Sequence, residues 1–409
     1  MRSLLRYPEF VVLWCANLAS SLAGWSLGIA LSVQVFETTR SPVATSALLI
    51  ASSLPSALLG SVAGVVADRV SRSRLLQLVS WLRVGIIAVL PLTNGTVVAL
   101  YLVATAQATA MQFFGPAEQA TVAEVVPDRL LPIALGANSA ATNTTRLVAP
   151  ALGGGLMTLL GFSWTTAIVA GLLGCAAILL CFLPAGSARP QGVQPLWSDW
   201  IDGIRELRSN RTTTAVAAVQ LLDAVKEGAL TALFPALMLG VIGVSPAYMG
   251  VVNSSFAVTA IVAGLAVPWV VRRYGYRWPI AVGVTVSGVL IVLLGAVPLP
   301  IVALGVFFVS GFPFTISWVA TNTLLLIGTE ESHRARTVGV MGSLYAAVTL
   351  IAAAGAGIAA ALFGTPAVLI VAACFQIAAG PIFALILPRA SQPGGVPTPE
   401  RASGPVATP

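Results

Sequence analysis

The chain has 409 residues, 57% of them hydrophobic and only 9% charged, with a mean hydropathy of +0.93; soluble domains carry roughly 45–50% apolar residues, so a water-soluble globular protein is excluded. Alternating segments of about ten residues, the mark of an outer-membrane barrel, are absent, which leaves membrane-spanning helices as the fold class. The formal net charge of +7, from 21 basic against 14 acidic residues, does not point to nucleic acid, because the arginines sit in short breaks between apolar runs and form no single patch.

Apolar runs between polar breaks predict twelve spans, at about 10–36, 43–67, 75–93, 96–118, 134–160, 164–183, 213–241, 246–271, 278–297, 300–327, 338–363 and 366–388. The expected fold is therefore an all-α membrane protein of twelve transmembrane helices in two pseudo-symmetric six-helix bundles. The first run, after "MRSLLRYPEF", is longer than a signal-peptide core of about 7–15 residues and is expected to be retained as a span.

The turn between spans two and three reads "GVVADRVSRSR", Gly64 to Arg74, a concentration of charge in a chain that otherwise avoids it. Arginines here hold the turn in the cytoplasm, and a glycine lets span two approach a neighbour closely. Gly64, Asp68, Arg69 and Arg72 resemble, residue by residue, the loop signature Gly-x-x-x-Asp-Arg-x-x-Arg of the major facilitator superfamily; Ser73 stands where a further basic residue is usual. The resemblance implies a conformational switch acting on transport states, not a substrate contact. In span five, "RLVAPALGGGL" resembles the antiporter signature of the same superfamily through Pro150, Gly153 and Gly154, with Ala149 where a glycine is usual.

"LLRYPEFVVLWCANLASSLAGW" and "FFGPAEQATVAEVVPDRLL" resemble, within that superfamily, the drug:proton antiporter branch with macrolide-efflux pumps and the enterobactin exporter. Two departures stand out. Gly24 precedes Trp25 where relatives often carry an acid, and span four has Gln107, Thr109 and Gln112 but no arginine. The family would place Trp25, Phe113, Phe114, Phe312, Phe314 and Trp318 around a central cavity; interfacial or packing roles account for such aromatics equally well.

Ionisable residues inside spans are costly and mark function by default. Arg146 in span five and Asp223, Lys226 and Glu227 in span seven form this set; Arg83 in span three is read as a structural residue and Glu118 as a solvated or gate-pairing one. Counting about 1.5 Å per residue, Asp223 lies about 15 Å from Thr213 and Arg146 about 18 Å from Ala134, both near the midplane. Asp223, Lys226 and Glu227 share one helical face. Lys226, the single lysine, can neutralise one carboxylate and leave the other to take a proton or pair with Arg146. A static ion-pair cluster joining helices is the competing reading.

The halves are separated by residues 184–212, where Trp197, Trp200, Ile201, Ile204 and Leu207 recur at helical spacing in an amphipathic segment. The domains are thus an N-terminal six-helix bundle at 1–183, a cytoplasmic linker with an amphipathic helix at 184–212, a C-terminal six-helix bundle at 213–388, and a Pro/Gly/Ser-rich tail at 389–409 expected to be disordered. At an offset of about 204, "GGGLMTLLG" ending at Gly161 aligns with "AGIAAALFG" ending at Gly364, and Asp68 falls opposite Arg272. Duplicated six-helix halves are a transporter signature.

Arginine bias sets orientation. With the N-terminus inside, one face collects Arg2, Arg6, Arg69, Arg72, Arg74 and the later loop and tail arginines to Arg401, whereas the other has only Arg40. The chain is expected in the cell inner (cytoplasmic) membrane, multi-pass, both termini cytoplasmic. Cys15, Cys175, Cys181 and Cys374 lie in apolar runs, and His333 is the only histidine, so neither a disulfide nor a metal site is expected. No cofactor is expected, and no Gly-Lys phosphate loop accompanies Lys226.

The expected function is secondary active transport, proton-coupled export of a small amphipathic molecule (drug, siderophore or secondary metabolite) by alternating access. An uptake permease or a lipid or lysophospholipid transporter of the same fold is the alternative, and a non-transporting receptor or a membrane enzyme ranks below both. Expected partners are the small-molecule substrate, protons and the lipid bilayer, with no nucleic acid and a monomeric state.

Overall fold

The computed structural model describes residues 4–93, 96–183, 205, 207, 211–329 and 334–386; regular structure among them is helical. Helices α1 (Pro8–Thr39), α2 (Pro42–Arg69), α3 (Arg72–Ala88) and α4 (Val97–Val125) precede a helical stretch, Leu131–Leu180, that Gly161 interrupts with φ 76° and ψ 179°. We name its parts α5 (131–160) and α6 (162–180). Helix α7 (Arg211–Pro235) continues through a π-helical stretch, Ala236–Val241. It is followed by α8 (Pro246–Tyr274), α9 (Arg277–Ala296), α10 (Pro300–Gly328), α11 (Arg334–Phe363) and α12 (Thr365–Ile386). Nine stretches among the described residues are long and apolar enough to cross a membrane, with Leu131–Leu180 counted once.

Local chemistry sets the boundaries. Proline opens α1, α8 and α10, where its missing N–H costs nothing, and Ser245 Oγ caps α8 by accepting from the Tyr248 N–H at 3.3 Å. The predicted third span reached residue 93, but α3 stops at Ala88. Pro91 lacks an amide hydrogen, and Leu90–Thr93 tighten into a 3-10 turn. Most of the predicted linker and all of the tail lie outside the described residues. Of the amphipathic segment, Leu207 is buried in a core with Val216, Ile280 and Phe383, and its carbonyl accepts from Thr213 Oγ1 and Thr214 Oγ1.

Helix contacts repeat when six is added to each number: α1 on α5 and α7 on α11, α2 on α4 and α8 on α10, α3 on α4 and α9 on α10. The halves meet through the two-fold pair α5 with α8 and α11 with α2. The aligned glycines occupy equivalent places in this arrangement. Gly161 and Gly364 both have positive φ, 76° and 85°, which a side chain would strain. A Cβ at Gly154 would run into the Pro246 carbonyl and one at Gly250 into the Pro150 carbonyl, while one at Gly357 would press on Ser46 and Pro42. Only glycine allows α5 and α8 to cross backbone on backbone.

These crossings lie at the end of the bundle that carries Arg40, the arginine-poor end. There Ile29, Val33, Phe36 and Met157 of one half share a core with Leu233, Leu237, Met249 and Phe307 of the other. The Ala247 N–H donates to Thr158 Oγ1 at 2.9 Å, and the Ala151 N–H to Ser254 Oγ at 3.2 Å, both across the seam. The halves are shut at this end.

Candidate functional site

Beneath the shut end lies a cavity of about 550 Å³ between the halves, lined by side chains of α1, α2, α5, α7, α8, α9 and α10. Trp25, Leu48, Leu230, Phe256, Ile291 and Phe314 supply apolar wall; Ser52, Arg146, Lys226, Glu227, Asn253, Ser287 and Ser310 supply polar groups. Such a mixture, mostly apolar with a few placed polar groups, is the usual lining of a small-molecule site.

The charged face of α7 reaches this wall. Lys226 Nζ lies 3.1 Å from Glu227 Oε2 and 3.4 Å from Asp223 Oδ1, and 5.2 Å from the centre of the Phe314 ring. One ammonium thus bridges two carboxylates in unlike surroundings. The Glu227 side chain is 35% exposed, whereas that of Asp223 is 10% exposed. Glu227 Oε1 accepts from Thr231 Oγ1 at 3.1 Å on the cavity side. Asp223 turns into the C-terminal half, where Gln376 Nε2 of α12 donates to Oδ1 at 2.5 Å and the Tyr345 hydroxyl of α11 donates to Oδ2 at 3.3 Å.

Arg146 faces the same cavity from α5, but its guanidinium stacks on Trp25, 4.9 Å from the ring centre. No ion pair joins it to Glu227 among the described residues. The six aromatics divide. Trp25 and Phe314 line the cavity; Trp318 stacks on Phe314 with centroids 6.0 Å apart and meets Tyr345 edge-on at 5.4 Å; Phe312 is 39% exposed on α10. Phe114 is buried in the core of the N-terminal half, and Phe113 packs against that core, because the α4 face that carries them turns toward α1 and α3.

Arg83 is buried on α3 and satisfied by neutral groups. Its Nε donates to Gln107 Oε1 at 3.0 Å and its Nη1 to Ser20 Oγ at 2.6 Å, with the Phe114 ring 5.7 Å away. Gln107 Nε2 returns a bond to the Arg83 carbonyl at 2.7 Å. Glu118 is buried too, its Oε1 accepting from Asn138 Nδ2 at 2.7 Å, while Asn138 Oδ1 accepts from Asn17 Nδ2 at 2.6 Å.

Of the loop signature, Gly64, Asp68 and Arg69 contribute their backbone to the end of α2; their side chains lie outside the described residues. Arg72 opens α3 and pairs with Glu124 of α4 at 2.6 Å. In the antiporter-like stretch, Gly154 sits on Pro246 and Ala247 of α8, Gly153 on the Ser26 backbone of α1, and the Pro150 carbonyl against Gly250. Pro150 and Gly154 thus build the seam between halves, whereas Gly153 packs α5 on α1 within the N-terminal half. Gln376, Tyr345 and Gln107 were not read from the sequence as site residues. Polar side chains on otherwise apolar spans are the signal that points to all three.

The family profile of the Major Facilitator Superfamily matches residues 13–222 and again 216–409. The chain is 28% identical over 175 residues to an uncharacterized MFS-type transporter, YfiS of Bacillus subtilis, covering 42% of each. It is 22% identical over 269 residues to Macrolide efflux protein A of Streptococcus pyogenes, covering 63% of this chain and 65% of that protein. The matched stretches thus span less than two thirds of these relatives. Among solved structures, a point mutant of the nucleoside transporter NupG superposes with TM-score 0.77 at 13% identity over 93% of this chain and 100% of that one. A bacterial homolog of the human lysosomal transporter Spinster, inward-facing and unoccupied, gives 0.70 at 16% identity over 93% and 98%. These likenesses carry the fold.

Proposed function

Because this chain belongs to the Major Facilitator Superfamily, we propose that it is a secondary active transporter exporting a small amphipathic molecule in exchange for protons. The carrying observation is one ammonium, Lys226, held between a carboxylate on the cavity wall and a carboxylate behind it. Two acids sharing one cation have a net negative charge when both are ionised, so one proton or one cationic group restores neutrality. That is the elementary requirement for exchanging a proton against a substrate in one cavity.

The proposal comprises twelve spans in two bundles, 1–183 and 213–388, joined by 184–212, with a monomer as the working unit. Arginine bias supports both termini in the cytoplasm. The shut, arginine-poor end then faces outward, and the cavity belongs to a state open to the cytoplasm. Substrate would enter there, against Trp25, Phe314 and the Arg146 guanidinium. The apolar wall supports an amphipathic ligand, and the macrolide-efflux relative supports export.

Proteoliposomes with an imposed pH gradient test this, after a ligand-stabilisation screen across drugs, siderophores and lipids. We expect the stabilising ligand to move against its gradient in exchange for protons. Asp223→Asn and Glu227→Gln together abolish that accumulation and leave substrate exchange partly intact. Transport indifferent to the pH gradient, or driven in the import direction, overturns the reading. A cysteine at Ser71 should label from the cytoplasmic side and one at Gly161 from outside; the reverse pattern inverts the orientation.

A further inference from the structure

A second, much smaller cavity is bordered by Asp223 and not by Glu227. It is lined by Val219, Gln220 and Asp223 of α7, Val284 of α9, and Phe314, Ser317, Trp318 and Thr321 of α10. About 10 Å³ is open to the centre of a water molecule, the room for one water. Gln220 is 4% exposed, and its Nε2 is buried without a hydrogen-bond partner in the protein. A buried amide donor left orphaned on an apolar helix is destabilising unless something accepts from it.

The polar groups around this cavity are complementary. Ser317 Oγ donates to the Phe314 carbonyl at 2.9 Å and Thr321 Oγ1 to the Ser317 carbonyl at 2.6 Å. Each hydroxyl, having given its proton to a carbonyl, keeps lone pairs free to accept, and both residues line the cavity that Asp223 also lines. One molecule that accepts from Gln220 and donates to two of these oxygens satisfies the set. That molecule is water. A sodium ion fits worse, because the Gln220 N–H groups oppose it and Lys226 Nζ already lies 3.4 Å from Asp223 Oδ1.

We propose that Gln220, Ser317 and Thr321 hold a single ordered water against Asp223, and that this water makes Asp223, and not Glu227, the carboxylate that takes up and releases the coupling proton. The proposal rests on the proton-exchange reading above and divides its labour. Glu227 faces the substrate cavity, while Asp223 faces the water. Phe314 lines both cavities and, with Lys226, forms the partition between them. The transfer is balanced: the water passes one of its protons to the Asp223 carboxylate, forming the acid, and is itself restored by a proton from a hydronium ion of the bulk water. Release runs in reverse. Gln220 is a positioning residue, since it acts through the water. The charged and titratable groups facing Asp223 are Lys226 and Glu227 on α7 and Tyr345 on α11; α12 presents the neutral Gln376, and α10 presents Trp318, Ser317 and Thr321.

Infrared spectroscopy on the purified full chain tests this without a transported substrate, so its outcome is separate from the pH-gradient flux that decides the transport reading. The Asp223 carboxyl band is identified by its loss in Asp223→Asn. Gln220→Met keeps side-chain length but removes the donor, and should slow hydrogen–deuterium exchange at that band at least tenfold. Thr321→Val supplies the same test should Gln220→Met fail to fold. Unchanged exchange in a folded variant overturns the proposal. So does a pH-responsive band removed by Glu227→Gln and retained in Asp223→Asn, or stabilisation of the protein by sodium that Asp223→Asn abolishes.

Discussion

Each half of the protein buries a cation, and the two solve the problem differently. In the N-terminal half Arg83 is surrounded by an amide, a hydroxyl and a ring, with no carboxylate in ion-pair range among the described residues. In the C-terminal half Lys226 lies between two acids. A planar guanidinium with five fixed donors can be satisfied by neutral acceptors. A compact ammonium keeps its charge more easily beside carboxylates. The neutral shell holds no carboxylate that could take a proton, whereas the acidic shell holds two. On the proposed reading, it is the identity of the partners, and not burial, that separates the two cations.

Neutralising the two cations in turn gives the largest contrast. Lys226→Met leaves two carboxylates unbalanced and is expected to abolish the proposed proton-driven transport, with a stability loss of about 3–5 kcal/mol read by thermal unfolding. Arg83→Met should leave transport by the surviving protein within threefold while lowering its thermal stability. Equal transport losses in both would erase the distinction. Gln107→Leu comes next, removing one acceptor from a buried charge; a stability loss of about 2 kcal/mol, read by thermal unfolding, is expected with coupling intact. The smallest effect tests whether the N-terminal half can be given the C-terminal solution. A Cβ at Gly24 lies 3.9 Å from Arg83 Nη2, so Gly24→Asp supplies the missing acid. Desolvating that acid offsets the attraction, and stability should shift by no more than ~1 kcal/mol. A gain in proton-coupled flux from this substitution would show that an acid–cation pair in either half suffices.

The sequence carried the spans, the repeat and the α7 acids because each is local: apolar length, glycine spacing, and charge inside an apolar run. Partners that arrive from elsewhere in the chain were not readable. Tyr345 and Gln376 stand 122 and 153 residues from Asp223, and only the packing of α11 and α12 on α7 brings them there. Helix orientation was equally hidden. In a bilayer both the lipid and the interior of the bundle favour apolar side chains, so α4 offers no periodicity to tell its cavity face from its core face, and Phe113 and Phe114 fall in the core. The antiporter-like stretch is visible in the sequence at Pro150, Gly153 and Gly154, but only contacts with Pro246 and Gly250 make Pro150 and Gly154 part of the seam, while Gly153 packs on Ser26 within its own half.

That seam separates what can vary in this protein from what cannot. Gly154 and Gly250 meet their neighbours through main-chain atoms, so the crossing makes little use of side-chain chemistry and leaves almost no room for change at those two positions. The cavity wall beneath is built largely from side chains. If the cavity takes cargo as proposed, altered substrate range should be sought first at Leu48, which lies outside the core of the shut end, while changes at Leu230, Phe256 or Ile291 also touch that core.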